Sequence, residues 1–183
     1  MTYATSDALR AGLEHVRQAP RHAGVLELIV RRPAMGQREV LEVGELDLAD
    51  GLVGDTWKDR GSTRTADGRR HPDMQLNLMN ARAVALVAGE RDRWPLAGDQ
   101  LYVDLDLSAA NLPPGTQLTL GSAVVEVTNQ PHTGCAKFVE RFGRDAMTFV
   151  NSVVGRELNL RGINAKVVRA GTVRVGDTVR RQA

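Results

Sequence analysis

Sulfur is scarce in this chain, whose 183 residues include one cysteine, Cys135. A single thiol excludes an internal disulfide and any zinc site built from several cysteines. Aromatic residues are few, at 4%, so no platform for stacking single-stranded nucleic acid is evident. Charge of one sign is also lacking: 24 Lys plus Arg stand against 22 Asp plus Glu, a formal net charge of +2. That balance gives no argument for a nucleic-acid partner. The clusters Arg31-Arg32, Arg69-Arg70 and Arg180-Arg181 read as solvated surface. No apolar run approaches the ~20 residues needed to cross a bilayer. No basic segment followed by an apolar one opens the chain, so the expectation is a protein without membrane contact, in the cytoplasm.

What is present reads as many short strands with a few helices. Ser6 is placed to cap a helix running to Gln18 on the stripe Leu9, Leu13 and Val16. Strands are expected over Gly24–Arg31, Glu39–Leu48, Met74–Met79 and Leu101–Leu107, the last with Leu101, Val103, Leu105 and Leu107 on one apolar face. Asn80 caps a helix that Gly89 closes. Gln117–Leu120 and Ala123–Thr128 form a hairpin through Gly121-Ser122. A helix is expected over Asp145–Val154, ended by Gly155, and strands over Ile163–Val168 and Val173–Val179. The segment Leu52–Asp73, rich in Gly, Ser, Thr and charge without periodicity, reads as a long loop that is either functional or a solvated insertion. Gly54-Asp55, Gly98-Asp99 and Gly176-Asp177 read as turns beside strands rather than phosphate loops, because no Gly-Lys-Ser/Thr follows them. This pattern predicts a β-barrel or folded sheet with helices at its edges.

The chemistry concentrates in Asn129-Gln130-Pro131-His132-Thr133-Gly134-Cys135-Ala136-Lys137-Phe138. Pro131 stops a strand, Thr133 caps a helix, and Cys135 falls in that helix's first turn, where the helix dipole and unpaired N–H groups favour a thiolate. Lys137 and Arg141 add positive charge nearby. Against this, Cys135, Phe138, Val139 and Phe142 have the spacing of an apolar helix face, so the thiol also reads as an inert core side chain. His132 and Cys135 supply too few ligands for zinc, and a Cys–His pair on one turn is poorly aimed. No Gly-x-Ser-x-Gly and no Gly-x-Gly-x-x-Gly occurs, which argues against a serine hydrolase and a dinucleotide fold. Lys137, Arg161 and Arg82 are the candidates to hold an anion.

The chain also resembles a known family, the molybdenum-cofactor-sulfurase C-terminal (MOSC) domain. The resemblance is carried by Gly51-Leu52-Val53-Gly54-Asp55, Gly98-Asp99-Gln100-Leu101, Leu118-x-Leu120-Gly121, Pro131-His132-Thr133-Gly134-Cys135-Ala136-Lys137-Phe138, Arg161-Gly162 and Val175-Gly176-Asp177. It implies a mainly β fold, a MOSC-like barrel over 24–183 with a few flanking α-helices, preceded by a helical extension at 1–23. It implies that Cys135 carries sulfur as a persulfide, or ligates the metal of a molybdenum–pterin cofactor. Lys137 and Arg161 would contact a cofactor phosphate or another small anionic ligand, with His132, Thr133 and Arg82 as further cofactor-binding candidates. Pyridoxal phosphate would sit only on a separate cysteine desulfurase acting as sulfur donor. The implied activities are sulfur transfer or molybdenum-dependent reduction of N-hydroxylated compounds. The reading from another class is a binding module for a small anion or partner protein.

Overall fold

The computed structural model describes residues 3–182. Helices α1 (Ser6–Ala11) and α2 (Leu13–Arg17) precede strands β1 (Ala23–Arg31), β2 (Glu39–Leu41), β3 (Val43–Asp47) and β4 (Gly51–Leu52). Short 3-10 turns at Thr56–Asp59 and Pro72–Met74 lead to β5 (Leu76–Asn80), helix α3 (Ala81–Ala88), a 3-10 stretch at Arg91–Ala97, and β6 (Leu101–Asp104). The chain continues with β7 (Gln117–Leu120), β8 (Ala123–Val127), helices α4 (Ala136–Asn151) and α5 (Val153–Glu157), then β9 (Ile163–Arg169), β10 (Gly171–Arg174) and β11 (Thr178–Arg181).

The strands run β11-β7-β8-β9-β5-β6-β1, and β11 pairs back onto β1, closing a seven-stranded barrel. Its one parallel pair is β5–β6, which α3 and the Arg91–Ala97 stretch make possible, because parallel strands need a long crossover. β2 extends β1, and β10-β3-β4 forms a small second sheet. The expected fold, a mainly β barrel with a few flanking helices, is the one observed. No helix among the described residues is long and apolar enough to cross a membrane.

Strand alternation divides the apolar residues into two layers. Leu76, Leu78, Leu101, Val103, Leu118, Leu120, Val125 and Ala165 fill the barrel. Leu28, Val30, Met79 and Tyr102 point outward and are covered by Leu9, Val16, Val84, Val87, Phe138, Phe142 and Val150 of the helices. β6 is therefore buried on both faces, and its Tyr102 packs under helices rather than facing water. The 1–23 segment shares this second core, since Leu9 and Val16 belong to it.

Several local expectations are corrected. Thr5, not Ser6, caps α1 by accepting the Ala8 N–H. The first helical segment divides at Gly12 into α1 and α2. Helix α4 holds the two helical segments expected after Pro131, and they are separated at Gly143, whose non-helical φ of 86° is open chiefly to glycine. The side chain of Ser152 accepts the Gly155 N–H and starts α5, so Gly155 lies inside a helix instead of ending one. The Val173–Val179 strand divides into β10 and β11, because Asp177 folds a turn back onto the Arg174 N–H. The loop after β4 is anchored at its start, where Asp55 and Trp57 are buried.

Candidate functional site

Cys135 sits between the barrel and α4. It is the N-cap residue of α4, with extended φ/ψ of −131° and 179°, and its side chain makes no cap hydrogen bond. The expectation of Thr133 as the cap and Cys135 in the first turn is therefore shifted by two residues: the helix begins at Ala136. The thiol is free and exposed, which overturns its reading as a core side chain, whereas Phe138 and Phe142 are buried as their spacing predicts. The approach to Cys135 is pinned at several points. Asn151 accepts the Gly134 N–H at 2.9 Å, Asn164 donates to the Gln130 carbonyl at 3.1 Å, and Arg64 donates to the Pro131 carbonyl at 3.1 Å. These bonds hold the thiol on a fixed element.

Cys135 lines a cleft of about 600 Å³ together with Arg32, Arg38, Arg60, Lys137, Arg141 and Arg161, and with Asp59 and Glu140 as the lining carboxylates. Six cations against two carboxylates make it electropositive. Four of the arginines are organised by the end of the Arg91–Ala97 stretch, where successive backbone carbonyls each receive one guanidinium. Arg38 donates to Pro95 O at 3.1 Å, Arg141 to Leu96 O at 2.7 Å, Arg161 to Ala97 O at 2.9 Å and Arg32 to Gly98 O at 2.9 Å. Gly98 makes this possible by ending the stretch in the left-handed region, at φ 91°.

Two of the four are neutralised from below, each by the aspartate of a Gly-Asp turn. Asp55 accepts Arg32 Nε and Nη2, both at 2.8 Å, plus the Arg32 and Trp57 backbone N–H groups. Burial works to raise its pKa, but the Arg32 hydrogen bonds and charge outweigh that and hold the carboxyl below its usual range. Asp99 accepts Arg161 Nη1 at 2.7 Å. Here burial wins over the pull of Arg161, and the carboxyl is raised. The Arg161 guanidinium also lies 5.1 Å from the centre of the Phe138 ring, which links it to the first turn of α4. The Arg31-Arg32 pair was expected as solvated surface; Arg32 is instead buried, and Arg31 pairs with Glu39 at 2.7 Å.

The remaining candidates are distributed unevenly. Lys137 and Arg161 do share the cleft with Cys135. His132 does not: it is partly buried, its Nδ1 lies 3.4 Å from Asp99 Oδ1, and it lines a separate cavity of about 150 Å³ with Asn159 and Gly162. Burial, and then the charges of Arg161, Arg32 and Arg64, hold its imidazole well below the ordinary value, so it is neutral. Thr133 is exposed and outside the residues lining the cleft. Arg82 is corrected outright: Asp104 takes both its Nε and Nη2, the His15 carbonyl takes Nη1, and the residue does not line the cleft. Arg38 and Arg60 were not foreseen, and no local signal marks them. Asp55 and Asp99 could have been suspected from the repeated Gly-Asp turns.

The class this geometry defines is a small closed barrel with one exposed thiol beside an electropositive cleft. A family model for the MOSC domain matches residues 69–180, and the chain belongs to that family. The match takes in Gly98, Cys135, Lys137, Arg141 and Arg161 but begins after Arg32, Arg38 and Arg60. Among solved structures, the YuaD protein from Bacillus subtilis is similar at 17% identity and a TM-score of 0.59, over 86% of this chain and 94% of that one. YiiM from Escherichia coli is similar at 19% identity and a TM-score of 0.56, over 87% of this chain and 70% of that one. At these identities the likeness is one of fold. A comparison with functionally curated proteins finds no match.

Proposed function

We propose that this MOSC protein acts through Cys135, and that the cleft beside it holds a phosphate-bearing molybdenum–pterin group with the Cys135 thiolate as the protein's ligand to the metal. The observation that carries this reading is one exposed thiol on the wall of an electropositive cleft of about 600 Å³. That volume lies within the ~300–1,000 Å³ common to cofactor pockets. The residues fit such a group: Cys135, the chain's one cysteine, would supply a soft sulfur ligand to the metal, and the cleft's arginines would hold the phosphate. When bound, the group would supply the two-electron chemistry needed to reduce an N-hydroxylated compound.

The chain's own residues position and bind. Arginine forks match phosphate oxygens bidentately, and Lys137 adds a mobile point charge. The buried aspartates keep Arg32 and Arg161 fixed while leaving the opening cationic. The pinned Gln130–Gly134 segment holds Cys135 at the rim.

Exposure of the thiol favours a second reading, sulfur carriage. The Cys135 thiolate would attack the terminal sulfur of a donor cysteine persulfide. A new S–S bond would form on Cys135, the donor S–S bond would break, and the donor would leave as a thiolate. No external oxidant is needed. A pyridoxal-phosphate cysteine desulfurase is the chemically suitable donor, and a lone reduced thiol suits the cytoplasm.

The test is metal content and intact mass of the purified protein, before and after incubation with a persulfide donor, for wild type and Cys135→Ser. Molybdenum in wild type alone supports the first reading, and a 32-Da gain in wild type alone supports the second (about the mass of one sulfur). Neither, with unaltered anion binding in Cys135→Ser, would leave a binding module and sink both.

A further inference from the structure

One end of the barrel holds a second chamber, of about 150 Å³, walled by the end of β8, the start of β9, the connection after β6 and the turn after α5. It shares no lining residue with the cleft beside Cys135, and its character is the opposite. Among the described residues, no Lys, Arg, Asp or Glu lines it. Its apolar wall includes Leu112, Val127 and Ile163, all buried. Barrel mouths with apolar walls and a few polar groups are a common seat for small ligands. A cavity of about this volume admits a benzene ring.

The polar groups of the chamber have oxygens to spare. Gln130 donates its amide nitrogen to Asn129 Oδ1 at 3.1 Å, Asn159 donates its own to Leu107 O at 2.8 Å, and the Thr128 hydroxyl donates to Asp73 O at 2.6 Å. Each of these bonds leaves the side chain's oxygen able to accept: Gln130 Oε1, Asn159 Oδ1 and Thr128 Oγ1. Asn159 takes its place through a left-handed backbone, at φ 48°, which Asn adopts more readily than most residues. His132 completes the lining. Its Nδ1 is buried without a hydrogen-bond partner, 3.4 Å from an equally unpartnered Asp99 Oδ1. Gly162 leaves room for the ring, since a Cβ there would stand 3.2 Å from Nδ1. The imidazole is neutral, held so by burial and by Arg161, Arg32 and Arg64. Spare acceptors without a cation disfavour an anion. They suit a ligand that brings N–H donors and no charge.

We propose that this barrel mouth is a second binding site, separate from the thiol cleft, for a small neutral ligand of one ring that carries an amide or lactam N–H. The carboxamide and hydroxyl oxygens accept the ligand's N–H, and Leu112, Val127 and Ile163 cover the ring. The site needs neither the thiol nor the cleft's arginines, so it stands apart from the reading of Cys135.

The test titrates full-length protein with 2-pyridone, N-methyl-2-pyridone and benzoate, following the methyl resonances of Leu112, Val127 and Ile163 and the His132 imidazole by NMR. The expected result is saturable shifts at these four residues with 2-pyridone. N-methyl-2-pyridone keeps the ring but lacks the N–H, and should bind about threefold more weakly or worse. Benzoate, an anion of similar size, should leave the four residues unmoved. Asn159→Gly keeps the backbone conformation and removes one acceptor, so binding should weaken by roughly three- to tenfold. Ala109→Trp adds a large side chain at an exposed position of the lining and should abolish it. The wild-type titrations need no variant, so a misfolded substitution does not protect the idea. No saturable shift with 2-pyridone, equal binding of the N-methyl compound or of benzoate, or shifts centred instead on Phe138 and Arg161 of the cleft would overturn it. Cys135→Ser should bind 2-pyridone as wild type does, so a failure of the thiol chemistry and a failure of this site give different results.

Discussion

Replacing Asp55 by Asn isolates the buried charge that supports the cleft. The Asp55 side chain is fully inaccessible and Arg32 is 7% exposed. Its two oxygens accept four hydrogen bonds, from Arg32 Nε, Arg32 Nη2 and the backbone N–H groups of Arg32 and Trp57. Asn keeps the shape but removes the charge, and its amide nitrogen must face a donor. Breaking one partner of a buried pair costs about 3–5 kcal/mol, because the surviving charge is stranded. That is a large share of the ~5–15 kcal/mol that holds a domain together. For a chain of this size it lowers Tm by roughly 6–20 °C. Urea unfolding followed by circular dichroism measures it, with Asp7→Asn as the control. Asp7 pairs with Arg10 on the surface, where both side chains are more than 70% exposed, and its loss should cost below about 0.5 kcal/mol. The pH dependence checks the cause. The folded pKa of Asp55 is depressed, so its contribution is fully present above the unfolded value of ~3.9 and is lost as pH falls through the folded one. The gap between wild type and Asp55→Asn should therefore narrow on acidification. A variant within 1 kcal/mol (about one hydrogen bond) of wild type at neutral pH would refute the reasoning.

Three other outcomes are expected. Cys135→Ser should change stability by less than about 0.5 kcal/mol, because the thiol is exposed and caps nothing; a large loss in thermal melts would restore it to the core. His132→Gln should flatten the acid limb of the stability profile. The native imidazole is held well below its ordinary value, so the unfolded chain binds the extra proton and stability falls as pH drops below ~6.5, by up to about 1.4 kcal/mol per unit. Asp99, raised by burial, slopes the other way; identical slopes in wild type and variant would show that His132 ionises freely in the native state. Phe142→Ala should cost about 3–5 kcal/mol, since the ring is fully buried with its centroid 4.9 Å from that of Phe138, and calorimetry showing under 1 kcal/mol (about one methylene) would contradict that packing.

Strands and hairpins could be read from the chain because their causes are local. The Gly121-Ser122 turn and the Asn80 cap reach the structure as the residues suggest, while the strand expected over Leu101–Leu107 ends at Asp104. Where local reading erred, a competing local partner decided. Thr5 reached the Ala8 N–H in place of Ser6, and the Ser152 side chain took the Gly155 N–H and began a helix where Gly155 was expected to end one. The motifs, taken in order, were enough for the family and its fold.

The roles of individual charges were not legible in this way. Arg32 looked like surface and is buried on Asp55; Arg82 looked available and is held by Asp104. The sequence by itself determined the alternation of the strands, the lone thiol beside a helix start and the family's motif order, because these depend on neighbours along the chain. Only the tertiary structure decided which cations are neutralised and which face the cleft. Charge pairing acts through a few ångströms of space, and closing β11 onto β1 and laying α4 across the barrel bring together Arg38, Gly98 and the Cys135–Arg141 stretch from three separate places.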